Sequence, residues 1–251
     1  MNWDPRRLAM LQEMGLTAWA PRDAAPGEAP AQEPAAEAPT APLAAPVAVP
    51  VAALARRPGG VDQMDWPALR EAVAHCTACK LCSGRRNTVF GVGNERADWM
   101  IVGEAPGEQE DLKGEPFVGQ AGKLLDNMLR AVGLTRGDAP PERQVFIANV
   151  LKCRPPHNRN PEPEEVAQCE PFLKRQVELV RPRIILAMGR FAVQSLLQTN
   201  DAIGKLRGRL HQYHGVPVVV TYHPAYLLRN LPDKAKGWED LCLALQTLEG
   251  R

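Results

Sequence analysis

Short and nearly unbroken apolar runs recur along the chain at Trp99 to Val102, Val145 to Val150, Ile184 to Met188 and Val216 to Tyr222. Runs of this length without polar alternation predict strands buried on both faces. Helical spacing of apolar residues fills the gaps, at Gln120 to Val132, Pro163 to Val180 and Phe191 to Leu197, with a last helix from about Trp238 to Leu248. Strand, helix, strand in this order predicts an α/β domain with a mainly parallel sheet and helices on both faces. Ligands of such sheets bind in the crevice beyond the carboxyl ends of the strands.

The first sixty residues break this pattern. Residues 3–19 read as a short amphipathic helix, with Leu8, Leu11, Met14 and Leu16 near one face. From Pro21 to Gly60, 23 of 40 residues are Ala (14) or Pro (9). Proline at that density breaks helices and removes donors, so this stretch is expected to be a disordered, semi-extended linker. Three segments follow: a helix in 1–20, an Ala/Pro-rich linker over 21–60, and a folded domain from 61 to 251. The helix suits a docking peptide for a protein partner on a tether; an extension without a sharp role suits it equally.

With 30 Lys and Arg against 29 Asp and Glu, the net charge of +1 carries no polymer-wide signature for nucleic acid. No apolar run is long enough for a signal peptide or a membrane span, so a cytoplasmic protein is expected. There, six cysteines point to metal or free thiols rather than disulfides.

Four of those cysteines form two pairs. Cys76 and Cys79 have two residues between them, whereas Cys153 and Cys169 have fifteen. A Cys-x-x-Cys turn offers two sulfurs from one loop, and zinc or an iron–sulfur cluster would accept the set. The wide second pair suits the larger cluster, which takes ligands from a loop and from a neighbouring helix. Cys82 reads as a bystander, and Cys242 as a small core residue on an apolar helical face.

Three motifs fall where the crevice should be. Gly103-Glu104-Ala105-Pro106-Gly107 follows the first predicted strand, Asn149 ends the second, and His223-Pro224-Ala225-Tyr226-Leu227-Leu228-Arg229-Asn230 follows the last. Together with Cys76-Thr-Ala-Cys79, Pro116-Phe-Val-Gly119 and Asn149-Val-Leu-Lys-Cys-Arg-Pro-Pro156, these motifs resemble the iron–sulfur uracil-DNA glycosylases of family 4, over about Cys76 to Leu248. The resemblance implies a three-layer αβα sandwich on a four-stranded mainly parallel sheet. It also implies a 4Fe–4S cluster on Cys76, Cys79, Cys153 and Cys169, and removal of uracil from single- and double-stranded DNA. Residues 1–60 have no counterpart in the family core. A monomer is expected.

Carried onto these motifs, Phe117 is the expected stacking partner of a flipped base. The Asn149 amide offers the donor and acceptor that match uracil O4 and N3–H. His223 is expected to donate to uracil O2 as charge gathers there. Ala105 departs from the best-known uracil glycosylases, which carry a water-orienting Asp at that place. Main-chain groups of Glu104 and Ala105 are therefore expected to line the pocket, with Glu110 shaping the wall beside uracil C5 and helping to stabilise the cation-like sugar that forms as the glycosidic bond lengthens. Leu227, Leu228 and Arg229 are expected to meet DNA, either leucine as a wedge and Arg229 at phosphate. The helix after Gly119 offers free N–H groups to a phosphate, with Lys123 nearby. A non-catalytic DNA-binding module recruited through residues 1–20 is the alternative, distinguished by a pulldown without base release.

Overall fold

The structure, a computed structural model, describes residues 59–250. The expected helix in 1–20 and most of the linker lie outside these residues. All four apolar runs form strands, named here in chain order with two more at the edges. They are β1 (Val92–Gly93), β2 (Trp99–Gly103), β3 (Val145–Asn149), β4 (Ile184–Met188), β5 (Leu210–Tyr213) and β6 (Val216–Thr221). The sheet order is β1-β3-β2-β4-β6-β5. The central four are mutually parallel, and β1 and β5 pair antiparallel at the two edges. The sheet thus has six strands where four were expected. The reason is local: β1 is two residues long, and β5 is largely exposed, so neither presents a buried apolar run. A turn at His214 and Gly215, both with positive φ (47° and 82°), joins β5 to β6, as a tight hairpin with type I′ twist requires.

The described residues also hold five short 3-10 turns and eight α-helices: α1 (Trp66–Ala74), α2 (Glu108–Lys113), α3 (Gln120–Ala131), α4 (Pro163–Val180), α5 (Arg190–Leu197), α6 (Ile203–Leu206), α7 (Pro224–Arg229) and α8 (Lys234–Glu249). Their starts follow from capping chemistry. The Asp65 carboxylate accepts from Ala68 N–H at 3.0 Å to open α1, and Pro163 supplies the fixed φ of the first position of α4.

Two cores flank the sheet, and period two of the strands divides them. Met100, Val102, Phe146 and Ala148 point to one side, where Leu69 of α1, Phe172 and Val177 of α4 and Val193 of α5 pack. Trp99, Ile101, Val145 and Ile147 point to the other, against Leu125 and Leu129 of α3 and Leu241 and Ala244 of α8. Every residue of β2, β3 and β4 is buried. This is the αβα sandwich, and it sets the carboxyl ends of β3 and β2 side by side, with that of β6 on the same edge of the sheet beyond β4.

Candidate active site

Those strand ends open into a cavity of about 970 Å3 whose lining includes Glu104, Glu110, Phe117, Asn149 and His223. Gly103 at the end of β2 stands in register with Asn149 at the end of β3. A Cβ on Gly103 would lie 2.4 Å from Asn149 Oδ1 and 2.6 Å from Phe117 Cζ, so only glycine lets these two side chains meet there. Asn149 is 2% exposed. Its side chain lines the cavity, where an amide presents both a donor and an acceptor.

Phe117 is held in the left-handed region, at φ 55°. Its ring and that of His223 lie 5.4 Å apart between centroids, with planes 25° apart. That is an offset stack, so the imidazole sits one ring layer above Phe117 and to one side. A flat base laid on the rest of that face would lie edge-on to the imidazole, the direction in which a ring N–H donates.

His223 ends the segment after β6 and caps α7, its Nδ1 accepting from Ala225 N–H at 3.1 Å. Nδ1 is therefore the unprotonated nitrogen, and Nε2 carries the hydrogen. Burial pushes the imidazole down to about 4, with the Glu110 carboxylate opposing and Arg229 adding to the shift. At neutral pH the ring is an uncharged donor.

The Glu110 carboxylate accepts from Gly107 N–H at 3.1 Å through Oε2, and from Val118 and Gly119 N–H at 3.1 and 3.3 Å through Oε1. It thereby clips the loop after β2 to the turn that carries Phe117. The N–H of Gly119, the residue that caps α3, is thereby taken. Glu104 turns toward α5, accepting from Phe191 N–H at 3.2 Å. Burial raises its carboxyl above the usual range, opposed by the Phe191 and Arg190 N–H groups. Ala105 lines the cavity and also packs against the cysteine cluster.

The two leucines of α7 separate. Leu227 is 1% exposed and points at Gly237 of α8, which corrects the expectation that it meets DNA. Leu228 is 41% exposed, and Arg229 is exposed at the cavity rim.

Cys76 and Cys79 follow α1, Cys153 follows β3, and Cys169 lies in α4; all four are buried free thiols. Burial pushes Cys169 up to about 12 and Cys153 to about 11, and the neighbouring sulfurs add to both shifts. Arg85 donates to Cys153 Sγ at 3.1 Å and to the Cys76 carbonyl at 2.8 Å. Among the described residues no group of three or more His, Cys, Asp and Glu side chains is spaced to hold a metal ion. Four converging buried thiols, with a guanidinium on one of them, are nonetheless the donor set a thiolate-bound cluster requires.

Several contributors carry no sequence signal. Lys152 is fully enclosed and donates to the Asn149 carbonyl and to Gln176 Oε1, both at 2.7 Å. Gln176 in turn donates to the Phe90 carbonyl at 2.9 Å. Lys152, beside Cys153, reads as an ordinary surface cation until α4 is seen to cover it.

The family model of the uracil DNA glycosylase superfamily matches residues 90–242. A type-4 uracil-DNA glycosylase from Archaeoglobus fulgidus is 48% identical over 164 residues, 62% of this chain and 79% of that protein. One from Saccharolobus solfataricus is 41% identical over 200 residues, 76% of this chain and 89% of that protein. One from Thermotoga maritima is 46% identical over 162 residues, 64% and 81% of the two chains. Matched by the family model over residues 90–242 and by these relatives over most of their own length, the chain belongs to the uracil-DNA glycosylase superfamily, and within it to the type-4 family.

Proposed function

We propose that the chain excises uracil from single- and double-stranded DNA by hydrolysing the N-glycosidic bond, leaving an abasic site. The observation that carries this reading is the Asn149 side chain lining the cavity beside the offset Phe117–His223 pair. A base inside a duplex must leave the stack to be reached, and these groups suit a single extruded pyrimidine. Phe117 offers a face. The Asn149 amide donates to O4 and accepts from N3–H. Cytosine lacks that N3 proton, and unpaired buried polar groups reject such a mismatch by a factor of roughly 10⁴.

As the C1′–N1 bond lengthens, its electron pair moves onto the base and negative charge gathers on O2. The neutral Nε2–H of His223 meets that charge as it develops, which lowers the barrier rather than only tightening binding. The sugar becomes cation-like. Glu110, fixed by three main-chain N–H groups, supplies negative charge near it. Water then adds its oxygen to C1′ and releases one proton to solvent, while the base departs and is protonated. Ala105 holds no water through its side chain, so main-chain groups of the Glu104–Ala105 segment are assigned that positioning. Leu228 is assigned to DNA as the exposed apolar residue and Arg229 to phosphate.

A 4Fe–4S cluster on Cys76, Cys79, Cys153 and Cys169 fits the donor set, because a cluster takes sulfurs set wider apart than a single ion does. When bound, it supplies a cross-link among α1, the end of β3 and α4, and no electron transfer to a hydrolysis. Cys153 lies two residues before Pro155, which lines the pocket, and Cys79 packs in the same cluster. Residues 1–20 remain assigned to a protein partner, which a pulldown with and without them tests.

The direct test uses pure, coloured protein and single- and double-stranded oligonucleotides with one uracil, without added metal or nucleotide. Alkali-labile sites at uracil, and none at cytosine or thymine, are expected. Intact uracil strands with fully loaded protein would overturn the reading.

A further inference from the structure

The cavity is larger than one base. Its volume of about 970 Å3 stands at the upper end of pockets that enclose a drug-sized ligand, and a pyrimidine occupies only the wall at Phe117, Asn149 and His223. Elsewhere the lining includes two tyrosines and three arginines. Tyr222 and Tyr226 both line it, and their rings stack with centroids 4.8 Å apart and planes 21° apart. The Tyr226 hydroxyl donates to Asp233 Oδ2 at 2.7 Å, and Lys236 Nζ holds Asp233 Oδ1 at 2.8 Å. The Tyr226 ring is therefore fixed in place through its far end before any ligand arrives. Arg229, one helical turn beyond Tyr226, lines the same cavity and is exposed.

A rigid aromatic platform beside an exposed cation is what binds unpaired nucleotides: the base stacks, and the phosphate meets the charge. The platform also has a defined place. Tyr222 directly precedes His223, and Tyr226 follows within the same turn, so the platform adjoins the inner wall. A nucleotide next in the strand to an extruded uracil is the ligand that such adjacency fits. We propose that Tyr222 and Tyr226 form a second base-binding subsite, which stacks the unpaired base flanking the uracil. The subsite rests on the uracil reading above and deepens it. In an intact duplex that flanking base is paired and stacked within the helix, so the subsite fills in single strands and favours them.

Removing the base from the substrate, while keeping its phosphates, separates stacking from backbone contacts. Single-stranded oligonucleotides would carry uracil next to either an adenine nucleotide or an abasic tetrahydrofuran residue, on the 5′ or the 3′ side. Wild type should lose roughly tenfold in kcat/KM when the flanking base on one side is absent. Tyr226→Ala should show that loss with the intact substrate and no further loss with the abasic one. Tyr226→Phe keeps the ring and should retain the wild-type dependence, whereas Arg229→Ala should slow both substrates alike. Where Tyr226→Ala fails to fold, as a melt would reveal, Tyr222→Leu carries the same comparison. Wild-type indifference to both flanking deletions, or losses from protein and substrate that simply multiply, would overturn the subsite. Failure to release uracil from any substrate would instead overturn the underlying activity.

Discussion

Arg136 donates from Nη1 to the carbonyl oxygen of Pro116 at 2.8 Å, tying the loop after α3 to the residue before Phe117. Asp126 steadies the same guanidinium through Nε at 2.7 Å. The link matters because Phe117 sits at φ 55°, a conformation that costs a non-glycine residue on the order of 1–3 kcal/mol and persists only when its surroundings impose it. A hydrogen bond from a charged donor contributes about 1.5–3 kcal/mol, enough to offset much of that cost. Arg136→Met should therefore loosen the base platform more than the fold. Kinetics on a uracil oligonucleotide should show kcat/KM lowered roughly tenfold or more, with cooperative unfolding preserved. Arg136→Lys, which cannot bridge Asp126 and Pro116 together, should recover little. Unchanged kinetics in both variants would remove Arg136 from the site.

Gly103 makes a sharper case. Its missing Cβ leaves the space in which Asn149 Oδ1 and the Phe117 ring edge come together, 2.4 and 2.6 Å from where that carbon would be. Neither neighbour is the free end of a flexible chain: Asn149 is 2% and Phe117 5% exposed. Gly103→Ala should displace both groups from the base they are assigned to hold. Misplacement on this scale costs roughly a hundredfold, and the rate on uracil DNA measured beside a melting curve would reveal it. A rate within twofold of wild type (a rough bound, given the steepness of positional effects) would mean that neither side chain contacts the base.

How far the chain could be read follows from where each signal resides. The parallel strands were legible because burial on both faces demands continuous apolar runs such as Ile184-Ile185-Leu186-Ala187-Met188. Pro163 marked the start of α4 for a similar local reason. The edge strands were not legible, since the largely exposed Leu210-His211-Gln212-Tyr213 has no reason to be apolar. Leu227 and Leu228 look alike in sequence; only the approach of α8 at Gly237 buries the first and leaves the second exposed. Asn149 and His223 were found through their place after apolar runs and within motifs. Lys152, Gln176 and Arg136 were missed, because their partners stand 3 to 86 residues away across the fold and no period connects them.

The acid side of the pH profile tests the tautomer assigned to His223. An ordinary histidine charges near pH 6.5, within about a unit, whereas burial holds this one down to about 4. Between those values the unfolded chain binds a proton that the folded chain does not. The contribution of His223 to stability is therefore complete above the ordinary value and is lost as pH falls toward the folded one. Protonation would also place a hydrogen on Nδ1, against the Ala225 N–H that it now accepts. The His223-dependent part of kcat/KM should stay flat from about pH 8 to about pH 5. His223→Ala should lower the rate roughly a hundredfold or more across that range. An acid limb centred near the ordinary histidine value, absent from His223→Ala, would show that the ring charges freely and sink the neutral-donor assignment.

Replacing a cysteine tests whether the thiols hold a cluster. As thiols they are costly to ionise: burial pushes Cys153 up to about 11 and Cys169 to about 12. Cluster formation must deprotonate them, so its binding energy is also folding energy for the segments it joins. Arg85 compensates one sulfur, at 3.1 Å from Cys153 Sγ, and the same guanidinium holds the Cys76 carbonyl. Cys153→Ser should thus lose visible absorption and bound iron, melt at a lower temperature, and become more sensitive to protease around residues 76–88. Cys242→Ser, on α8 away from the set, should change none of these. If the Cys153 variant keeps its iron, or loses it with no change in melting, the cluster does not brace these segments through Cys153. The strands that carry Asn149 and His223 would then owe their positions to the apolar layers alone.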